Sequence, residues 1–327
     1  MKHVLVTGGS GFLGRAIVKL LADRNIHIRT LARNKYPTLA PLEVEQVQGD
    51  IADVAVVIKA CNGIDTIFHT AAKAGIWGSY HQFYQTNVIG TQNILAACKT
   101  NPDINLIYTS SPSVVFDGQD MKGVDESIPY PKKFKAHYPK TKAMAEQSVL
   151  MASRNGLKAI ILRPHLVWGP GDNHLAPRIL ARAHRLRQIG DGENKVDTIY
   201  IDNAAHAHLL AQKALSKDPS LSGRTYFISQ DHPIKLWEMI NHILAAGAKP
   251  PVTRTISPKK AYLIGTMMES IYRILSIKQE PPMTRFLAQE LSLSHWFDIR
   301  AAKKDLGYTP KISTTEGLVR LKRWLQR

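Results

Sequence analysis

The chain has 327 residues, 44% of them hydrophobic, which is enough for a full core in one large domain or two lobes and excludes disorder as an overall description. With 43 Lys and Arg against 26 Asp and Glu the formal charge is +17, which favours anionic ligands; the charges are scattered, with no zinc-finger spacing, RNP-like segment or basic arm, so nucleic acid is not an expected partner. Cys61 and Cys98 stand apart and exclude a disulfide framework, glycines break the amino-terminal apolar run, and nothing reaches the roughly 18 apolar residues of a membrane span, so a cytoplasmic protein is expected.

Val4 to Thr7 reads as a first strand, followed by the turn Gly8-Gly9-Ser10-Gly11-Phe12-Leu13-Gly14 and an amphipathic helix through Leu21. Further strands are expected at His27 to Leu31, Val44 to Val47, Ile64 to His69, Leu106 to Thr109 and Ala159 to Leu162, with a helix around Thr91 to Cys98 and another over Ala143 to Met151. Short apolar strands alternating with helices predict an α/β fold, a Rossmann-type doubly wound parallel sheet. Beyond it, residues 171–189 read as basic and helical, Thr198 to Ile201 and Tyr226 to Ser229 as strands, and Asp202 to Ala214, Lys235 to Ala246 and Lys259 to Ser276 as helices. The expected division is a dinucleotide-binding core over 1–167 with segments returning near 196–230, and a smaller, mainly helical substrate-binding lobe from 168–195 and 231–327.

The turn between the first strand and helix brings glycines 8, 11 and 14 to a helix start, where absent side chains and free N–H groups suit a pyrophosphate. Gly8, Ser10, Gly11, Phe12, Leu13 and Gly14 are therefore candidate cofactor contacts. A carboxylate that would bond an NAD ribose is missing after the second strand, which ends Thr30-Leu31-Ala32-Arg33-Asn34. Arg33, with Lys35 nearby, suits the extra phosphate of NADP(H), the expected cofactor; a solvated arginine is the alternative. Asp50 is a candidate for the adenine amino group and Ile51 for the face of its ring, while Ala71 and Ala72 after the fourth strand permit close approach.

Tyr138 and Lys142 are four residues apart, on one face of the expected helix. A phenol can give its proton to a forming alkoxide, and a neighbouring ammonium stabilises the phenolate left behind. Thr109-Ser110-Ser111 at the end of the fifth strand offers a hydroxyl for the same oxygen, or only a cap. Together these groups point to hydride exchange between a nicotinamide and a carbonyl or secondary alcohol.

The stretches TGGSGFLG, HTAAKAG, NVIGTQN, YTSSPSV, YPKTK and LRPHLVWGPGD, spread over residues 7–172, with YIDNAAHAH to 208, resemble the extended short-chain dehydrogenases/reductases of the 3β-hydroxysteroid dehydrogenase-like branch. The resemblance implies that Ser111, Tyr138 and Lys142 are catalytic, that Lys142 also binds the nicotinamide ribose, and that Asn87 helps to orient the lysine through a backbone-bound water. It implies further that Pro164 to Val167 lies near the carboxamide. KAGIWGSYHQFYQTNVIGTQN and the SPSVVFDG to AHYPKTKAMAEQ stretch are similar to the bacterial 2-alkyl-3-oxoalkanoate reductases of long-chain olefin biosynthesis. That likeness implies a two-tailed fatty β-keto acid as substrate, reduced to a β-hydroxy acid, with a homodimer and association with other olefin-biosynthesis enzymes as possible assemblies.

Such a substrate needs an apolar cleft and a point that holds its carboxylate. Trp77, Tyr80 and Phe83 are candidates for an entrance and Trp168, Met267 and Met268 for a lid, with core packing as the competing expectation; His165 and Arg178 are candidates for the carboxylate. The amphipathic stretch Lys259 to Lys278 is expected to pack on the core, line the pocket, or dock on a partner or the periphery of a membrane. His206 and His208 are two residues apart, off a shared helix face, and no metal is expected. A 3β-hydroxysteroid or sterol dehydrogenase is the main rival reading, ahead of a nucleotide-sugar epimerase or a noncatalytic NADP-binding scaffold.

Overall fold

The computed structural model describes residues 1–24 and 26–327. Seven strands form the main sheet: β1 (His3–Thr7), β2 (His27–Ala32), β3 (Glu45–Gln48), β4 (Thr66–His69), β5 (Asn105–Thr109), β6 (Lys158–Pro164) and β7 (Thr225–Ile228). They are all parallel and lie in the order β3-β2-β1-β4-β5-β6-β7. Their side chains alternate between two cores. Val4, Val6, Ile107, Ile160 and Leu162 face one, and Leu5, Leu106, Tyr108, Ala159 and Ile161 the other. A sheet covered on both faces is why its strands read as continuous apolar runs.

In chain order the helices are α1 (Phe12–Ala22), α2 (Val54–Cys61), α3 (Tyr80–Tyr84), α4 (Gly90–Lys99), α5 (His137–Arg154), α6 (Leu175–Ala181), α7 (Ile201–Lys217), α8 (Leu236–Ala246), α9 (Pro258–Ile274), α10 (Arg285–Glu290), α11 (Arg300–Leu306) and α12 (Thr314–Leu325). α1 packs with α7 on one face of the sheet, and α2, α4 and α5 cover the other. Strand order reverses between β1 and β4, which opens a crevice beyond the carboxyl ends of the strands. A third core, with Trp168, Tyr200, Trp237, Ile240, Ile243 and Leu321, holds the lobe built around α8 and α12.

Two expected boundaries move. α5 begins at His137 rather than Ala143, so Tyr138 and Lys142 are both helical. Residues 171–189 do not form one helix: Asp172 accepts from the N–H groups of His174, Leu175 and Ala176, which delays the start of α6, and Gln188–Ile189 pairs as a strand with Thr255–Ile256. A small four-stranded sheet joins Ile234–Lys235, Lys195–Val196, His295–Phe297 and Met121–Val124, and carries His295 to the end of β6.

Candidate active site

The glycine turn is built by contact as much as by freedom. Gly8 sits at φ +67, and a Cβ there would stand 2.9 Å from the Cα of Ala71; a Cβ at Gly14 would stand 2.2 Å from the carbonyl oxygen of Gly8. Gly14 thus seats α1 against the turn, and Gly11 caps the helix without a side chain, leaving first-turn N–H groups at the crevice. A cavity of about 260 Å³ here is lined by Gly8, Ser10, Gly11, Arg33, Asp50, Ile51, Ala71 and Ala72, together with Tyr36, Thr70, Lys73 and Thr86. The side chains of Phe12 and Leu13 pack into the neighbouring cores instead, so only their backbone N–H groups remain for a ligand. Arg33 is exposed at the end of β2, and Asp50 accepts from the N–H of Ala52. This lining suits a dinucleotide phosphate: a glycine cradle, uncapped N–H groups and one exposed guanidinium.

Across the carboxyl end of the sheet, Ser111 and Tyr138 line a second cavity of about 220 Å³, with Pro164, His165, Leu166, Arg178, Phe286, Glu290 and His295. Ser111 accepts from the N–H of Ser113 at 3.2 Å and its hydroxyl lies 2.9 Å from that of Ser113. Burial raises the Tyr138 phenol above its ordinary value, and a hydrogen bond with Ser111 works the other way, so the phenol keeps its proton at neutral pH. Lys142 is 3% exposed and donates to the Tyr108 hydroxyl at 2.8 Å and the Thr109 carbonyl at 2.6 Å, with its ammonium 4.3 Å from the centre of the Tyr108 ring. Burial brings its pKa down to about 7, against the opposing pull of Glu146 one turn later.

Asn87 does not bond Lys142 itself. It accepts from the N–H of Lys73, donates to the Lys73 carbonyl, and donates to the Thr141 hydroxyl at 3.0 Å, one residue before the lysine. It lies in a π-helical segment, Gln85–Ile89, between α3 and α4, and its carbonyl accepts from Thr91. Thr91 in turn stands 3.0 Å from Nε2 of His69, whose Nδ1 is 2.7 Å from the Thr7 hydroxyl. A buried chain of polar groups therefore ties the end of β1 to the helix facing Lys142.

Several groups at the site carried no local signal. Tyr108, the partner of Lys142, looks like one more apolar residue of β5. Glu146, one turn after Lys142 on α5, is buried in an ion pair with Arg163 and accepts from the Tyr130 hydroxyl, partners that come from outside its helix. Leu166 has φ +43, a strained turn that brings it to the cavity wall while Val167, beside it, pairs with Ile199 outside. His295 is 130 residues from His165, yet the two rings meet at 2.6 Å.

The expected entrance and lid are partly rearranged. Trp77 lines a larger cavity of about 710 Å³ with Phe134, Tyr272 and Phe286, and Ile76 and Phe286 border both this cavity and the one at Ser111. Phe83 and Trp168 are fully buried and pack the core, Tyr80 packs against Tyr84 and meets His137 edge to face, and Met267 lies on an exposed face of α9, so these four do not line the Ser111 cavity. Met268 is likewise absent from its wall. Nδ1 of His208 bonds the Ala204 carbonyl and its Nε2 bonds Thr109, which makes it a tie between α7 and β5. No group of three or more metal-ligating side chains occurs among the described residues. Among them too, no helix is long and apolar enough to cross a membrane.

The 2-alkyl-3-oxoalkanoate reductase of Stenotrophomonas maltophilia (strain K279a) is 47% identical over 324 residues, covering 98% of each chain. The 2-alkyl-3-oxoalkanoate reductase of Shewanella oneidensis is 45% identical over 98% of this chain and 86% of its own. Isoform 2 of the 3beta-hydroxysteroid-dehydrogenase/decarboxylase of Arabidopsis thaliana is 35% identical over 97% of this chain and 60% of its own. Among solved structures, gox2253 superposes with a TM-score of 0.80 at 26% identity, covering 100% of this chain and 98% of its own. The UDP-glucuronic acid 4-epimerase of Bacillus cereus in complex with NAD does so with a TM-score of 0.76 at 22% identity, covering 99% and 98%, which shows the shared fold. A sequence profile of the 3-beta hydroxysteroid dehydrogenase/isomerase family matches residues 5–254, and the chain belongs to that family of oxidoreductases.

Proposed function

We propose that the protein reduces the 3-keto group of a 2-alkyl-3-oxoalkanoic acid to a 2-alkyl-3-hydroxyalkanoic acid, using NADPH, in olefinic hydrocarbon biosynthesis. The observation that carries this reading is the pairing of a protonated phenol, Tyr138, with a hydroxyl, Ser111, in one cavity at the mouth of a dinucleotide crevice. The near full-length likeness to two reductases of that name selects the substrate class.

In this reading Gly8, Ser10, Gly11 and the first-turn N–H groups of Phe12 and Leu13 hold the pyrophosphate, Gly14 keeps α1 in place, Arg33 binds the 2′-phosphate, and Asp50, Ile51, Ala71 and Ala72 border the adenosine. Pro164 to Val167 borders the nicotinamide. Bound NADPH supplies a hydride to the ketone carbon. Ser111 and Tyr138 donate hydrogen bonds to the ketone oxygen, and Tyr138 gives its proton as charge develops there. Lys142 then stabilises the phenolate and also bonds the ribose, while Asn87 positions its helix through Thr141. The space around Trp77 and Phe134 takes acyl chain. A cofactor core over 1–167 with segments returning near 196–230, a substrate-binding lobe from 168–195 and 231–327, a homodimer, and association with other enzymes of olefin synthesis or with the surface of a membrane belong to the same proposal.

A 3β-hydroxysteroid dehydrogenase would use the same groups in the opposite direction, so a panel of substrates separates the two. Catalytic efficiency is expected to be higher for 2-alkyl-3-oxoalkanoic acids with NADPH than for sterols with either nucleotide. Arg33→Ala is expected to lower kcat/KM for NADPH by about 10- to 100-fold, as loss of a charge-assisted bond implies, and to alter that for NADH little. Preference for sterols, or for NADH in the unaltered protein, would contradict the respective half of the proposal.

A further inference from the structure

The cavity at Ser111 and Tyr138 holds two histidines whose rings take no part in the chemistry above. His295 comes from the small sheet and is 2% exposed, and His165 follows the end of β6 and is 8% exposed. Their rings cross edge to face, 4.8 Å between centres, and Phe297 walls the other side of His165 at 5.3 Å. Nε2 of His295 lies 2.9 Å from the carbonyl oxygen of Glu290, an acceptor only, so that nitrogen carries the proton and donates. In the neutral tautomer that this bond selects, Nδ1 of His295 is the acceptor, and Nε2 of His165, 2.6 Å away, donates to it. This order fixes the ring of His165 and leaves its Nδ1 as the one polar atom of the pair that is free to meet a ligand.

We propose that His165, positioned by His295, binds the carboxylate of the substrate. This rests on the reading of the substrate as a β-keto acid. One carbon separates the carboxyl carbon from the ketone carbon of such an acid. A ketone oxygen held by Ser111 and Tyr138 therefore brings the carboxylate into the same 220 Å³ space that His165 lines. Arg178 also lines it, but it is 45% exposed and its guanidinium is already paired with Glu280 at 2.5 Å. A bare Nδ1 would repel a carboxylate, so His165 takes up a proton when the anion binds; with Nε2 still bonded to His295, it then presents a charged N–H to the carboxylate. Burial keeps His165 neutral until that happens. The other titratable groups around the pair are Tyr138, Arg178 with Glu280, Glu290 from α10, and Asp120, which accepts from the N–H of Ser294. Glu290 lines the same cavity; burial pushes its carboxyl up and the neighbouring His295 pulls it down.

The test compares KM for a 2-alkyl-3-oxoalkanoic acid with KM for its methyl ester in NADPH-coupled assays. His165→Gln retains an amide donor toward His295 but cannot take a proton. It is expected to raise the ratio of acid KM to ester KM by at least about tenfold, as loss of one charge-assisted bond implies. Arg178→Gln is expected to move that ratio less than threefold. In the unaltered protein, which needs no variant to fold, the acid KM rises with pH across the neutral range relative to the ester KM. A ratio unchanged in His165→Gln, a larger shift in Arg178→Gln, or parallel pH profiles for acid and ester would overturn the site while leaving the reductase standing. An unaltered protein that reduces the ester and not the acid would overturn the substrate class as well.

Discussion

Burial sets the protonation states at the reacting centre. Tyr138 keeps its proton because the enclosed site penalises a phenolate, and Lys142 is poised near neutrality because its ammonium is enclosed by Tyr108, Thr109 and the wall of β5. Tyr138→Phe removes the acid and leaves the cofactor crevice intact. Turnover is expected to fall by about 10²- to 10⁴-fold, with NADPH affinity by fluorescence titration within about twofold of the unaltered protein; near-normal turnover would refute the role. Lys142 also makes a prediction without substrate. Its folded pKa of about 7 lies below that of an unfolded lysine, about 10.4, so between these values the unfolded chain binds more protons and stability rises with pH. Urea unfolding between pH 7 and 9 is expected to show a steeper rise for the unaltered protein than for Lys142→Met, and parallel curves would contradict the depressed pKa. The Tyr138 and Lys142 pair was legible because its spacing is local. Tyr108 and His295 were not, because their roles arise from contacts made by other strands.

At the level of elements, the parallel strands were readable as short apolar runs because both faces of the sheet are covered. α2, α10, α11 and α12 were not anticipated. The first three are short, with six to eight residues, and a short helix gives little periodicity to read; α2 and α10 start instead at side-chain caps from Asp53 and Thr284. α9 was anticipated, with its apolar side left open between core, pocket and a docking surface. Its small and polar face, with Gly265 and Glu269, packs on α10, where a Cβ on Gly265 would stand 2.6 Å from the backbone of Thr284. The opposite face leaves Leu263, Met267, Ile271 and Ile274 exposed, with Ile274 at 80%. With the net charge of +17, this face fits the proposed contact with an anionic bilayer. Leu263→Asp with Ile274→Asp is expected to reduce cosedimentation with phosphatidylglycerol vesicles at low salt by at least fivefold, while Tm shifts by only about 2 °C, as for other surface changes. Equal sedimentation would remove α9 from the membrane account.

In the whole molecule, the reversal of strand order brings the glycine turn of β1, the small residues after β4, the hydroxyl after β5 and the turn after β6 to one edge. The lobe adds what the parallel sheet cannot supply: Arg178 from α6, Phe286 and Glu290 from α10, and His295 from a second sheet. Sequence order made the first group legible, since each member directly follows a strand. The second group comes from chain segments far apart, and only folding brings them together. The central claim is that this assembly directs a hydride to the ketone carbon of a β-keto acid. Incubation with 4-deuterated NADPH, in each of its two stereoisomers, and a 2-alkyl-3-oxoalkanoic acid, followed by mass spectrometry of the product, tests it most directly. One of the two isomers is expected to give a 2-alkyl-3-hydroxyalkanoic acid with a single deuterium at C3; a hydroxy acid without deuterium from both isomers, or no hydroxy acid at all, would contradict it.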